Sequence, residues 1–215
     1  MKKSVLSINL LILLGILLIT TPSCKTASEA TNGLSLDTLE LADLKMQSYI
    51  DDGLLSGIST MVLKDGEIAH RGIFGMANIE EDRMMKEDAI FRIYSMSKPL
   101  TAAALMMLYD EGKFQLDDPV ANYIPEFKET KVWADGMEVE QEQPFTIRHL
   151  LTHTAGFIYG WGNSYVDSLY KSAQAQGMWE SATLEDMIKF LAGLPLKNQP
   201  GSTYEYSVSI DVAGY

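Results

Sequence analysis

Lys64-Asp65-Gly66 separates two runs of β-type residues, Gly57-Ile58-Ser59-Thr60-Met61-Val62-Leu63 and Glu67-Ile68-Ala69-His70-Arg71-Gly72-Ile73-Phe74-Gly75. An Asp-Gly pair supplies the positive φ angles that a two-residue turn demands, so this stretch predicts an antiparallel hairpin. A hairpin alone is marginal in water and needs more strands or a covering helix. The sequence around it offers helices. Leu36, Leu39, Leu41, Leu44, Met46 and Ile50 follow a near-helical spacing, with Asp37 at the start and 51–53 as the stop. A short β-type run over 89–94 leads into Ser95. The stretch 101–111 is apolar nearly all round and predicts a buried helix ended by Gly112. Shorter helices are expected after Asp117-Asp118-Pro119, over Thr146-Ile147-Arg148-His149-Leu150-Leu151, and over 183–191, where Thr183 caps and Asp186 lies near the capping-box position. Residues 198–201 read as a turn, and 209–215 as the beginning of another helix. An early helix, a hairpin and further helices after it make the expected class a mixed α/β (α+β) chain.

Charge narrows the partners. With 17 basic and 29 acidic residues the net charge is −12, which disfavours a phosphate backbone as ligand. With 47% hydrophobic residues the chain can bury a real core. The first 24 residues are expected outside that core, as an export signal. Lys2 and Lys3 precede an apolar run over 5–19, broken only by Ser7, Asn9 and Gly15. This run is shorter than the about 20 residues of a membrane span. Cys24 is the only cysteine, so no internal disulfide can form. Small Ser23 followed by Cys24 resembles a bacterial lipoprotein cleavage site, although Thr21 stands where leucine is usual. Cys24 is therefore a candidate lipidation site, and residues 25–33 a tether. The expected location is the bacterial cell envelope, lipid-anchored or periplasmic.

Ser95-Met96-Ser97-Lys98 is a Ser-x-x-Lys. On a helix, residues three apart share a face, so the lysine amine can reach the serine hydroxyl. At a helix N-terminus the dipole and partial burial are expected to depress the lysine pKa, making it a base. Backbone N–H groups there can stabilise an oxyanion. Pro99 fits only the first turn, which places the helix start close to 95–97. The bare motif is cheap, because Ser168-Leu169-Tyr170-Lys171 repeats it. That second copy lies in a polar stretch expected to lack buried support. The plain alternative for Ser95 and Ser97 is an N-cap.

Four segments in order change the balance: Phe91-Arg92-Ile93-Tyr94-Ser95-Met96-Ser97-Lys98-Pro99, Leu116-Asp117-Asp118-Pro119-Val120, 146–156 with His153-Thr154-Ala155-Gly156, and Pro200-Gly201 followed by Tyr204, Tyr206 and Ser207. Together they resemble the β-lactamase-related serine hydrolases, which include class C β-lactamases, D-alanyl-D-alanine peptidases and family VIII carboxylesterases. The resemblance implies a β-lactamase/transpeptidase-like fold: an antiparallel sheet flanked by helices, with an inserted mostly helical domain and the active site between them. It covers roughly 55–215, within a domain expected to span 34–215. It implies Ser95 as acylated nucleophile, Lys98 as its base and Tyr206 as proton shuttle. The family's Tyr-x-Asn is Tyr206-Ser207-Val208 here, so the amide that would meet a substrate is missing at Val208. This tilts the expectation from β-lactamase toward esterase. Small-molecule esters, D-amino-acid peptides and β-lactams are the candidate substrates. The family's last motif, Lys-Thr-Gly or His-x-Gly, does not follow Tyr206, so the sheet and the site are expected to be incomplete and the chain truncated at its C-terminus.

His149 and His153 have zinc-ligand spacing, but the glutamate of a His-Glu-x-x-His is missing and no third ligand is near. No metal or other cofactor is expected, and His153 is read as shaping a turn. Tyr159 and Trp161 are candidates for lining an acyl pocket, since pockets are largely apolar and aromatic. A reading from another class is a non-catalytic envelope lipoprotein that binds cell-wall fragments on the same scaffold.

Overall fold

The computed structural model describes residues 33–181 and 183–215. The expected export signal, Cys24 and most of the tether lie outside the described residues. The chain divides into two compact units, one ending at Phe91 and the other running from Arg92 to Tyr215.

In the first unit, α1 spans Leu36–Asp51. Ser35 Oγ accepts from the Thr38 N–H at 3.4 Å, and Asp37 in the first turn complements the helix dipole. Gly53, at φ +67°, ends it in the left-handed region. The hairpin forms where the sequence places it. Strands β1 (Gly57–Lys64) and β2 (Glu67–Asn78) pair antiparallel from Lys64↔Glu67 to Gly57↔Gly75. Asp65 and Gly66 take φ of +53° and +82°, as a two-residue turn between twisted strands requires. A bulge lies between Val62 and Leu63. A two-residue strand, β3 (Arg83–Met84), joins the far side of β2. His70 and Asp43, 2.9 Å apart, tie β2 to α1. Met61, Leu63 and Ile73 remain exposed on the sheet.

Residues 89–93 form no strand. A strand gains its hydrogen bonds only from a neighbour, and no ladder reaches this segment. Ile90 is fully exposed, and Tyr94 turns to φ +46°.

The second unit opens with a 3₁₀ turn at Tyr94–Met96 that runs into α2 (Ser97–Asp110). Pro99 sits in the first turn, and Gly112 at φ +71° follows the end. The expected burial of this helix is corrected. No residue of α2 is fully buried; Leu105 and Tyr109 pack on the core, while Leu100, Met107 and Leu108 are exposed. Apolar composition does not supply a partner for every face, and among the described residues one face of α2 finds one. Asp117-Asp118-Pro119 starts a single 3₁₀ turn, Val120–Asn122, rather than an α-helix. Asp118 is spent backwards instead, accepting from the Gln115 N–H at 2.7 Å.

A second hairpin, β4 (Val132–Ala134) and β5 (Met137–Val139), turns through Asp135 and Gly136. Short helices follow: α3 (Ile147–Leu151), α4 (Tyr165–Ala175), α5 (Leu184–Ala192) and α6 (Ser209–Ala213). Thr146, Ser164 and Thr183 cap the first three through their side-chain oxygens. The stretch holding Ser168 is thus not unsupported polar chain. It is α4, with Val166, Asp167, Tyr170 and Ala173 buried. Phe127, Phe145 and Phe157 meet edge-on, 5.3–5.5 Å apart, at the core of this unit. Helices with small antiparallel sheets make up the mixed architecture expected from the sequence.

Candidate active site

The candidate residues Ser95, Lys98 and Tyr206 all belong to the second unit. The left-handed Tyr94 bends the chain into the 3₁₀ turn, so Ser95 leaves it just before α2 begins. A tyrosine at positive φ is uncommon and is held only where the surroundings require it. Met96, not a serine, occupies the N-cap position, and it makes no side-chain capping bond. The plain capping role for Ser95 is therefore not taken up. Lys98, one helical turn on, donates to Ser95 Oγ at 3.3 Å.

Tyr206 arrives from far along the chain, and its hydroxyl donates to the same Oγ at 2.6 Å. Its neighbours fix it. The Glu205 N–H donates to the His153 carbonyl at 2.9 Å, and the Ser207 N–H to His153 Nδ1 at 3.2 Å. The His153 ring lies 4.9 Å from the Tyr206 ring. His153 itself is left-handed at φ +55°, so the turn expected at 153–156 is the clasp that holds Tyr206. Gly156 completes it at φ +95°; a Cβ there would lie 2.3 Å from the Asn198 carbonyl oxygen.

Aromatic rings surround the pair. Tyr159 and Trp161 stack at 4.6 Å with 12° between planes, and Tyr159 lies 5.6 Å from Tyr206. Trp179 reaches Tyr159 at 5.9 Å. Lys98 Nζ stands 5.1 Å from the Tyr206 ring centre and 5.7 Å from that of Tyr159. Trp161 is 74% exposed, so this aromatic face is open on one side.

The electrostatics correct one expectation. Burial lowers the Lys98 pKa, but hydrogen bonds with Tyr159 and Tyr206 and the Asp211 charge outweigh it and set it above the ordinary lysine value. A dipole argument from its own helix misses these partners, which come from elsewhere in the chain. The Tyr206 phenol is held below its ordinary value, first by the Ser95 hydrogen bond and then by Lys98 against a contribution from burial. The His153 imidazole is pushed down by burial and by the Lys98 charge.

Val208 departs from its expected place at the substrate. It is fully buried in the core cluster, because the chain turns into α6 at this residue. The two histidines do not form a metal pair. His149 Nδ1 accepts from the Thr146 N–H at 3.2 Å, and His153 Nδ1 is engaged by Ser207. Among the described residues no group of three histidine, cysteine or acidic side chains could hold a metal ion. The second Ser-x-x-Lys is engaged apart from itself: Ser168 Oγ donates to the Tyr165 carbonyl at 2.6 Å, and Lys171 Nζ to the Gly162 carbonyl at 2.7 Å. Sequence reasoning missed Asp211. It lies on α6 among core residues, and its only signal was a carboxylate between apolar Ile210 and Val212.

Comparison with known proteins bears on the family and the fold. The Beta-lactamase family profile matches residues 42–215. Esterase EstB of Burkholderia gladioli is 36% identical over 194 residues, covering 87% of this chain and 47% of the relative. Among solved structures, EstCE1, a hydrolase with promiscuous acyltransferase activity, superposes with a TM-score of 0.70 at 33% identity, over 83% of this chain and 46% of its own. A class C β-lactamase shares the fold, with a TM-score of 0.60 at 16% identity over 85% of this chain and 44% of its own. The chain spans about half the length of the curated relatives it matches. With the β-lactamase/transpeptidase-like fold and the profile match in agreement, this chain belongs to the Beta-lactamase family of serine hydrolases.

Proposed function

We propose that this chain carries the nucleophile of a serine hydrolase site that forms an acyl-enzyme on Ser95, with esters as the favoured substrates. The observation that carries the proposal is the 2.6 Å hydrogen bond from Tyr206 to Ser95 Oγ, made while Lys98 donates to the same oxygen. A phenol held below its ordinary range gives up its proton more readily than a free tyrosine, and the ammonium beside it, held above its own range, is a counter-charge for the phenolate.

In this reading the base role expected of Lys98 passes to Tyr206, which also keeps its expected part as proton shuttle. Tyr206, as phenolate, takes the Ser95 Oγ proton while Oγ attacks the carbonyl carbon of the ester. The bond from that carbon to the leaving alkoxide oxygen breaks, and Tyr206 returns the proton to the alkoxide. For deacylation Tyr206 takes a proton from water, the water oxygen attacks the acyl carbon, and Ser95 leaves with the proton restored. The Ser95 backbone N–H supplies one oxyanion donor. Lys98 stays an ammonium throughout and stabilises the negative oxygen beside it. These steps call on no metal or other cofactor.

Two things support esters over amides and lactams. EstB is an esterase by name. Tyr159 and Trp161 present a flat aromatic surface suited to an apolar acyl group. The basic start, apolar run and Cys24 support an envelope location held by lipid. Transfer of a Cys24→Ala variant from the membrane to the soluble fraction is the expected outcome there.

The test is covalent. The protein is incubated with a fluorophosphonate or a fluorescent penicillin, and the adduct is mapped by mass spectrometry. An adduct on Ser95 is expected, and its absence with both probes overturns the proposal in favour of a non-catalytic binding role. A panel of short-chain p-nitrophenyl esters, a D-alanyl-D-alanine peptide and nitrocefin then ranks the substrates. Faster turnover of nitrocefin or the peptide overturns the ester preference.

A further inference from the structure

Asp211 is the only charged residue of α6, and both neighbours, Ile210 and Val212, are buried. Its Oδ2 is sealed from solvent and has no hydrogen-bond partner. A carboxylate oxygen in that position is costly unless charge compensates it. The groups that bear on it come from three other parts of the unit. Lys98 faces it from α2, His153 from the turn after α3, and Tyr159 from the aromatic stack. The Tyr159 hydroxyl interacts with the Lys98 ammonium as well as with the Asp211 carboxyl. The same carboxylate acts on Tyr206.

We propose that Asp211 is a positioning residue of the Ser95 site, whose carboxylate is the internal counter-charge that anchors the Lys98 ammonium, through the Tyr159 hydroxyl, against Ser95 and Tyr206. The inference rests on the acyl-enzyme reading above and adds a fourth residue to it. Burial pushes the Asp211 carboxyl above its ordinary range, while the Lys98 charge, a backbone N–H, the His153 ring and the Tyr159 hydroxyl pull it back toward the charged form. Asp211 touches no reacting atom, so it acts only through its neighbours.

The sign of its effect is fixed. A negative charge raises the pKa of every group near it, here both Lys98 and Tyr206. Removing that charge lowers both. In Asp211→Asn the pH profile of Ser95 acylation should therefore move as a whole to lower pH, by about half to one unit for a charge acting across one hydroxyl. Asp211→Glu keeps the charge and should keep the parental profile. Asp211→Ser is a second neutral replacement should the amide variant fail to fold.

Two measurements decide it. NMR of ring-labelled tyrosine, with the Tyr206 signal assigned by Tyr206→Phe, gives the phenol titration without turnover. Single-turnover labelling of Ser95 by a fluorophosphonate gives the rate profile. A Tyr206 titration that falls in the folded neutral variants and stays put in Asp211→Glu supports the inference. An unmoved titration overturns it, even if the labelling rate drops, since a drop alone reports packing. A shifted titration in a protein whose Ser95 takes no label would leave the charge coupling standing and sink the acyl-enzyme reading instead.

Discussion

Tyr206→Phe removes one oxygen atom and tests which group accepts the proton. Two bases stand within reach of Ser95 Oγ, Tyr206 at 2.6 Å and Lys98 at 3.3 Å. Without the phenol only Lys98 remains; it loses the Tyr206 hydrogen bond but keeps the Tyr159 hydrogen bond and the Asp211 charge that raise its pKa against burial, and an ordinary lysine titrates at about 10.4. At neutral pH the neutral amine is then less than about one part in 10³ of the total. If Tyr206 is the base, the variant should acylate about 10³-fold more slowly at neutral pH, within the 10²–10⁴ range of general-base effects. Its rate should also climb tenfold per pH unit toward the lysine pKa, whereas the parent should level off below the ordinary phenol pKa. The assay is the rate of Ser95 labelling by a fluorophosphonate across pH, with folding checked by circular dichroism. A folded Tyr206→Phe that keeps more than about a tenth of the parental rate, with the same pH profile, would refute the assignment.

Asp167 caps α4 from a nearly fully buried position, accepting from the Gly162 and Ser164 N–H groups at 2.9 and 3.0 Å. Asp167→Ala should cost about 2–4 kcal/mol in urea unfolding. Burial raises the Asp167 pKa, but these hydrogen bonds and Lys197 more than offset it, and the net shift is down. Its contribution is thus present above the ordinary aspartate pKa, so the gap to the parent should narrow as pH falls through the acidic range. Val208→Asn should not create β-lactam turnover; it places an amide in the core and should lower stability by about 1–3 kcal/mol, read from the shift in thermal midpoint. Trp161→Ala, on a mostly exposed ring, should leave the unfolding midpoint unchanged within about 0.5 kcal/mol and raise KM for esters of long or aromatic acids. An equal loss across all acyl chains would show that the stack does not contact the acyl group.

Local signals were legible where the chemistry is local. The hairpin at 57–75 follows from its Asp-Gly turn, and the caps at Thr146 and Thr183 from their side chains. The second Asp-Gly, at 135–136, passed unread because its strands have three residues each, too few to show alternation. Helix α4 was hidden by its polar outer face, although Ser164 and Asp167 stand at capping-box spacing. The burial of α2 was overread because composition does not reveal whether a partner covers each face. Ser95, Lys98 and Tyr206 were recognisable from linked motifs, and the structure brings them within hydrogen-bond reach. The charge state of Lys98 was not recognisable, since Tyr159, Tyr206 and Asp211 reach it across 61 to 113 positions of chain.

The clasp of His153 on both sides of Tyr206 has a consequence for when this chain becomes reactive. Ser95 and Lys98 meet as soon as the first turn of α2 forms, yet that pair holds a charged amine and a protonated hydroxyl. The phenol joins them only after a loop of 111 positions has closed and the turn at 153–156 has seated. An unfinished chain would therefore carry an inert serine, and acylation would begin only with the completed tertiary fold. Ser95 labelling would then serve as a chemical clock for the folding of the second unit, dark in every partly folded species and lit in the native one.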